Sequence, residues 1–260
     1  LINHKSIKMK KILFVFTFII GLHSYGQSTV MLAMVLEEGK EDAYLKMEKK
    51  WKTLNEAAVD KGIITQWSVW KRTPREGDEG WAEYFVMIRR NAAQEKLNVN
   101  WEEFSYKVFK GKSKKSIDRM LSNQGIVKEM RSRTYKLSTT TGWRGLEWEL
   151  GDKANFHYMT EKNDDFIAYE TAVWKPIAQQ RILDGYLKYW GISELIDSND
   201  TTKELKSTST HIAFNFPTKK KNEETYKSPE DFLGKKAEEA LLSSREMLPA
   251  EELTLIYSTF

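Results

Sequence analysis

Trp51-Lys52 and Trp174-Lys175 stand 123 positions apart, and the same offset relates Asp42 to Asp165, Gly62 to Gly185 and Trp67 to Trp190 without a gap. Conservative matches fill the intervals: Leu54 with Ile177, Val59 with Ile182, Ile64 with Leu187 and Val69 with Ile192. Coincident Ala or Leu would carry little weight. Two Trp and a Gly in one frame read as an internal repeat, and a repeat dictates the architecture before any local detail does.

The pattern around these anchors defines the repeated unit. Val30 to Leu36 and Asn155 to Thr160 have the length and composition of strands. Tyr44, Met47, Trp51, Leu54 and Ala58 then recur at three- and four-residue spacing, which lays one apolar stripe along a helix. Gly62 and Gly185 end the two helices, as residues free to enter the left-handed region do. Pro176 predicts a kink in the second of them, because its ring removes the bond to the Ala172 carbonyl.

Second strands are expected over Ile63 to Trp70 and Tyr186 to Ile192, and third strands over Trp81 to Arg89 and Thr210 to Phe216. Helical stretches follow over Lys114 to Met130 and Pro229 to Met247, then last strands over Arg131 to Leu137 and Glu252 to Thr259. The reading is an α+β chain of two tandem ferredoxin-like β-α-β-β-α-β units. Each such sheet leaves one face open, so the two are expected to cover each other and form an intrachain α/β barrel. The expected divisions are 1–26, a leader; 27–141, the first unit; 142–153, a linker carrying Trp143 and Trp148; and 154–260, the second unit.

The stretch from Tyr44 through Trp51-Lys52 and Gly62 to Trp67, with its copy from Trp174-Lys175-Pro176 through Gly185 to Trp190, resembles the dimeric α/β-barrel superfamily, NIPSNAP-like domains and related exported bacterial proteins in particular. The resemblance implies two ferredoxin-like units whose sheets pair, here within one chain, so a monomer that is a pseudo-dimer. The superfamily includes antibiotic-biosynthesis-type monooxygenases, haem-degrading enzymes and chlorite dismutases. Such breadth fixes no chemistry, and no catalytic residue of these enzymes can be placed on this sequence.

Met9, Lys10 and Lys11, the apolar run Ile12 to Leu22 and the small residues Ser24 and Gly26 read as a signal peptide cleaved after Gly26, preceded by residues upstream of the initiator. The run is short for a membrane span, so no stable anchor is expected after cleavage. Without Lys5, Lys8, Lys10 and Lys11, the 41 basic residues fall to the level of the 37 acidic ones. The mature chain is then near neutral, which gives no support for nucleic acid as a partner. The chain has no Cys, hence neither a disulfide framework nor a thiolate metal site. Export to a periplasm or the medium is the expected destination.

Two histidines lie beyond the leader, His157 and His211. Phe156, Tyr158, Ile212, Phe214 and Phe216 are expected to face the helices. That would turn His157, His211, Asn155 and Asn215 to the opposite face, on adjacent central strands lining the barrel lumen. There they either make ordinary hydrogen bonds between the units or form a polar ligand site. The first unit has no matching histidine; its third strand offers Glu83 and Trp81 as pocket candidates, so a pocket is expected to be asymmetric. Three functions stay open: a small, partly apolar ligand bound between the units; an oxygenase-like or haem-dependent enzyme using His157 or His211; and an interaction module with a filled barrel. No metal site is expected, and two His without Cys leave haem as the one cofactor not set aside.

Overall fold

In the computed structural model the described residues are 27–77, 80–142, 148–199, 209–219 and 234–259. Residues 1–26, in which the leader is expected, Trp143, and the start of the helix expected from Pro229, residues 229–233, lie outside them. In chain order the first half contains β1 (Ser28–Leu36), α1 (Glu41–Asp60), β2 (Gln66–Arg72), β3 (Tyr84–Arg90), α2 (Trp101–Val108), α3 (Lys114–Leu121) and β4 (Val127–Thr140). The second half contains β5 (Lys153–Glu161), α4 (Phe166–Tyr169), a π turn (Glu170–Trp174), α5 (Lys175–Leu183), β6 (Leu187–Ser198), β7 (His211–Pro217), α6 (Lys235–Ser243), β8 (Arg245–Met247) and β9 (Glu251–Ser258).

The antiparallel strands run β7-β6-β4-β1-β3-β2-β9-β5, and a β5–β7 pairing closes the ring, with β8 added at the edge of β5. Each half therefore has the same internal order, fourth strand, first, third, second. The halves join where β2 meets β9 and where β4 meets β6. A closed ring leaves no free edge among its eight strands and needs no second chain to cover its inner face.

The helix ends explain the repeated glycines. Lys61, Gly62 and Ile63 donate backbone N–H bonds to Ala57, Val59 and Ala58, and Asp184, Gly185 and Tyr186 do the same to Gln180, Ile182 and Arg181. Gly62 and Gly185 have φ of 67° and 78°, a conformation that a Cβ would strain.

Along the helices, the burial pattern of Glu41–Asp60 matches the second half with an offset of 122 before the π turn and 123 after it, Val173 being the extra residue. The gap-free alignment is thereby corrected: Asp42 answers to Asp164 rather than to Asp165. The irregularity expected at Pro176 takes this form, a widened turn that ends just before the proline enters the first turn of α5.

The end of the first half also differs from expectation. The helix expected to reach Met130 stops at Leu121, because Val127–Thr140 is taken into the sheet as a 14-residue strand bridging both halves. A short helix, α2, precedes it, capped by the Asn100 side chain, which accepts from the Glu103 N–H at 3.0 Å.

Candidate functional site

Among the described residues, the barrel interior is packed with large side chains. Met31, Ala33 and Val35 of β1, Trp70 of β2, Phe85 and Met87 of β3, Tyr135 of β4, Phe156 and Tyr158 of β5, Tyr189 of β6, Ile212, Phe214 and Phe216 of β7 and Leu253 and Leu255 of β9 form one buried cluster. Edge-on ring contacts lock it, with centroids 4.9 Å apart for Phe156–Phe214 and 6.3 Å for Tyr135–Phe214. Trp148, from the connector, closes one end against Phe216 at 4.4 Å.

This reverses the expected facing of the second half. Phe156, Tyr158, Ile212, Phe214 and Phe216 point into the lumen, and by alternation Asn155, His157, His211 and Asn215 turn outward to the helical layer, where Met159 and Ala213 pack with Phe166, Ala178 and Ile182. The reason is volume: an eight-stranded barrel needs large side chains to fill it, so the aromatic face goes inside and the smaller one receives the helices. With the facing reversed, Asn155, His157, His211 and Asn215 leave the lumen, where the described aromatic side chains pack against one another.

Outside the barrel, the register sets Asn155 opposite Asn215, His157 opposite Ala213 and His211 opposite Met159. His211 is 4% exposed, its Nδ1 lies 2.9 Å from Thr210 Oγ1 and its ring 4.9 Å from that of Phe166. Burial lowers its pKa. His157 is half-buried, and burial with the nearby Arg245 charge drives its pKa down to about 4. Arg245 is itself ion-paired with Glu170, which is 1% exposed.

Glu83 and Trp81 meet at a mouth of the barrel. Glu83 accepts the Leu36 N–H at 2.9 Å, and the Arg72 guanidinium lies 5.2 Å from the Trp81 ring while bonding to Glu251 at 2.5 Å. A hollow of about 510 Å³ lies there among Lys71, Arg72, Trp81, Glu83 and Tyr84. Within it Lys71 bonds to Glu41 at 2.6 Å.

A different cavity has the properties of a binding site. It lies between α1 and the outer face of the first half's strands, with a volume of about 400 Å³. Leu32, Met34, Val86 and Ile88 form its floor; Met47, Trp51, Trp67 and Trp101 wall it; Glu48, Asn55 and Arg90 are polar groups within it. Asn55 is tied back by donating to the Trp51 carbonyl at 2.8 Å.

Glu48 is 2% exposed and has no ion-pair partner among the described residues. Burial pushes its pKa up to about 7, with the Tyr44 phenol beside it pulling the other way. A carboxyl poised there exchanges a proton near neutrality, which is what a general base or a ligand-sensing hydrogen-bond partner requires.

The corresponding residue of the second half is Glu170, four residues after the fully buried Phe166 as Glu48 is four after the fully buried Tyr44. Glu48 was readable from the sequence. It falls on the same stripe as Tyr44, Met47, Trp51 and Leu54, where a charged residue is out of place, and the π turn hides its counterpart by shifting the frame one residue.

Among the described residues no three His, Asp or Glu gather as a metal site, and no helix is long and apolar enough to cross a membrane. The lining of the α1 pocket contains no imidazole to ligate haem.

No family model matches the chain, nor does any curated protein. Solved structures do. A candidate monooxygenase from Lactobacillus acidophilus is similar at a TM-score of 0.54 and 10% identity, over 90% of this chain and 95% of that one. Another from Fusobacterium nucleatum gives 0.51 and 10%, over 90% and 94%. An anthrone oxidase-like protein gives 0.46 and 11%, over 90% and 92%. At such identity the likeness is one of fold: ferredoxin-like units in an α+β barrel.

Proposed function

We propose that this protein binds a small, largely apolar ligand in the pocket beneath α1, with Glu48 as the group that exchanges a hydrogen bond or proton with it. One observation carries the reading. Of two equivalent buried glutamates, Glu170 meets a guanidinium while Glu48 opens into an apolar cavity of about 400 Å³ without an ionic partner. A buried carboxyl is costly unless compensated, and a ligand is the natural compensation here.

The measurement is tryptophan fluorescence, since Trp51, Trp67 and Trp101 all line the pocket. A saturable change is expected with medium-chain alcohols and ketones and is lost in Val86→Phe, which fills the floor. A response that survives Val86→Phe unchanged counts against the reading.

A second reading is an oxygenase-like enzyme. It draws on the fold neighbours described as monooxygenases, with TM-scores of 0.54 and 0.51, and on the proton-accepting character of Glu48. Ligand-dependent oxygen consumption that disappears in Glu48→Gln supports it. A haem-dependent form needs His157, the half-buried imidazole on the opposite half, and predicts a Soret band lost in His157→Ala.

The proposal includes duplication of one unit, inferred from the offset of 123, and export with cleavage after Gly26. Secretion of a chain whose first residue is Gln27 tests the latter.

A further inference from the structure

The pocket beneath α1 is long, and its two ends differ chemically. Along β1 the pairing runs from Met34 opposite Met130 to Ser28 opposite Arg90, a six-residue interval. At the rise of an extended strand this is roughly 20 Å. Met130 and Arg90 both line the pocket, so the cavity reaches toward both levels. A volume of about 400 Å³ spread over such a length is a narrow slot.

At one end Met130 is 42% exposed, an apolar side chain at an opening to solvent. At the other stands Arg90, whose Nε is buried without a hydrogen-bond partner. No ion pair compensates it among the described residues. Arg90 as a whole is half-buried, but a buried N–H donor left unmet is costly, and the pocket floor of Leu32, Val86 and Ile88 offers it no acceptor. Glu48 does not serve: it lies one turn beyond Tyr44, whose ring is 4.7 Å from that of Tyr84, at the Met34 level of the slot. The helix then runs toward the Arg90 end, where Gln94 bonds to the Gly62 carbonyl at 3.1 Å.

The second half lacks this cation. Continuing the β5–β7 register from Asn155 opposite Asn215 puts Pro217 at the place of Arg90. Arg90 is thus particular to the half that has the slot.

We propose that the ligand is an elongated amphiphile whose anionic head group is held by Arg90, its apolar chain lying along Leu32, Val86 and Ile88 toward Met130. The inference rests on the reading that this pocket holds a ligand. A carboxylate suits the guanidinium, which presents paired donors in a plane. Glu48 then faces the chain partway along, where a hydroxyl or carbonyl oxygen of the ligand meets it.

The test titrates the full chain with dodecanoate, dodecanol and dodecyltrimethylammonium, followed by tryptophan fluorescence. Dodecanoate is expected to bind roughly tenfold more tightly than dodecanol, and dodecyltrimethylammonium more weakly than either. Arg90→Met brings dodecanoate to the level of dodecanol, and Arg90→Lys restores most of the preference, with circular dichroism unchanged in both. Equal binding of dodecanoate and dodecanol, or a preference that persists in Arg90→Met, overturns the head-group assignment while leaving the pocket reading in place. Binding of none of the three overturns both.

Discussion

Glu48 and Glu170 occupy the same position beneath the first helix of each half, but Glu170 is ion-paired with Arg245 whereas Glu48 faces an apolar pocket. The same buried carboxyl is thus a structural group in one half and a chemically available one in the other.

The difference is measurable as a pH dependence of stability. Glu48 has its folded pKa raised from 4.5 to about 7, so the folded state holds its proton more tightly than the unfolded chain. Stability from this group is therefore full at low pH and is lost as pH rises between those values, by on the order of 3 kcal/mol. Glu48→Gln is expected to remove that loss. Urea unfolding at pH 5 and pH 8 should show the variant gaining on the wild type at the higher pH, and an equal difference at both contradicts the assignment.

Arg245 and Glu170 make the opposite prediction. Removing one member of a buried pair strands the other, so Arg245→Met should destabilise by about 3–5 kcal/mol. Adding Glu170→Leu should recover most of it, since the two side chains are 7% and 1% exposed and the pair can give way to apolar packing. A double variant no more stable than Arg245→Met indicates that the charges are not coupled.

The strands and the helix-ending glycines are legible because each leaves a local mark: a Gly where the apolar stripe ends, and a period of two or of three to four residues. What sequence could not settle was which face of β5 and β7 goes inward. Both faces there are apolar enough to be buried, with Met159 and Ala213 on one and Phe156 and Phe214 on the other, so alternation alone does not choose. Barrel volume chooses, and that is a property of eight strands together. Glu48 is legible as a charge out of place on the apolar stripe of α1, but its lack of an ionic partner is not, because that depends on the strands packed against the helix.

His157 supplies a check of its burial beside Arg245. Its folded pKa is depressed from 6.5 to about 4, so on acidification the unfolded chain takes up the proton first and stability falls as pH drops through that interval. His157→Gln should flatten this acid limb while changing little at pH 8. An identical acid limb in the variant places His157 in solvent.

The filled lumen predicts a contrast between aromatic truncations. Phe156→Ala opens a void in tight packing and should cost about 3–5 kcal/mol. Trp101→Ala, at the wall of an existing cavity, should cost less and enlarge the pocket. Thermal unfolding of the two variants side by side reads the difference.

The central claim is the location of the ligand, and contact quenching tests it most directly. A brominated medium-chain alcohol quenches only the tryptophans it touches. The account predicts saturable quenching that shrinks in Trp51→Phe and Trp101→Phe, whose side chains line the α1 pocket, and is unchanged in Trp70→Phe, whose side chain lies in the barrel. Quenching that vanishes in Trp70→Phe and persists in the other two would put the ligand inside the barrel and contradict it.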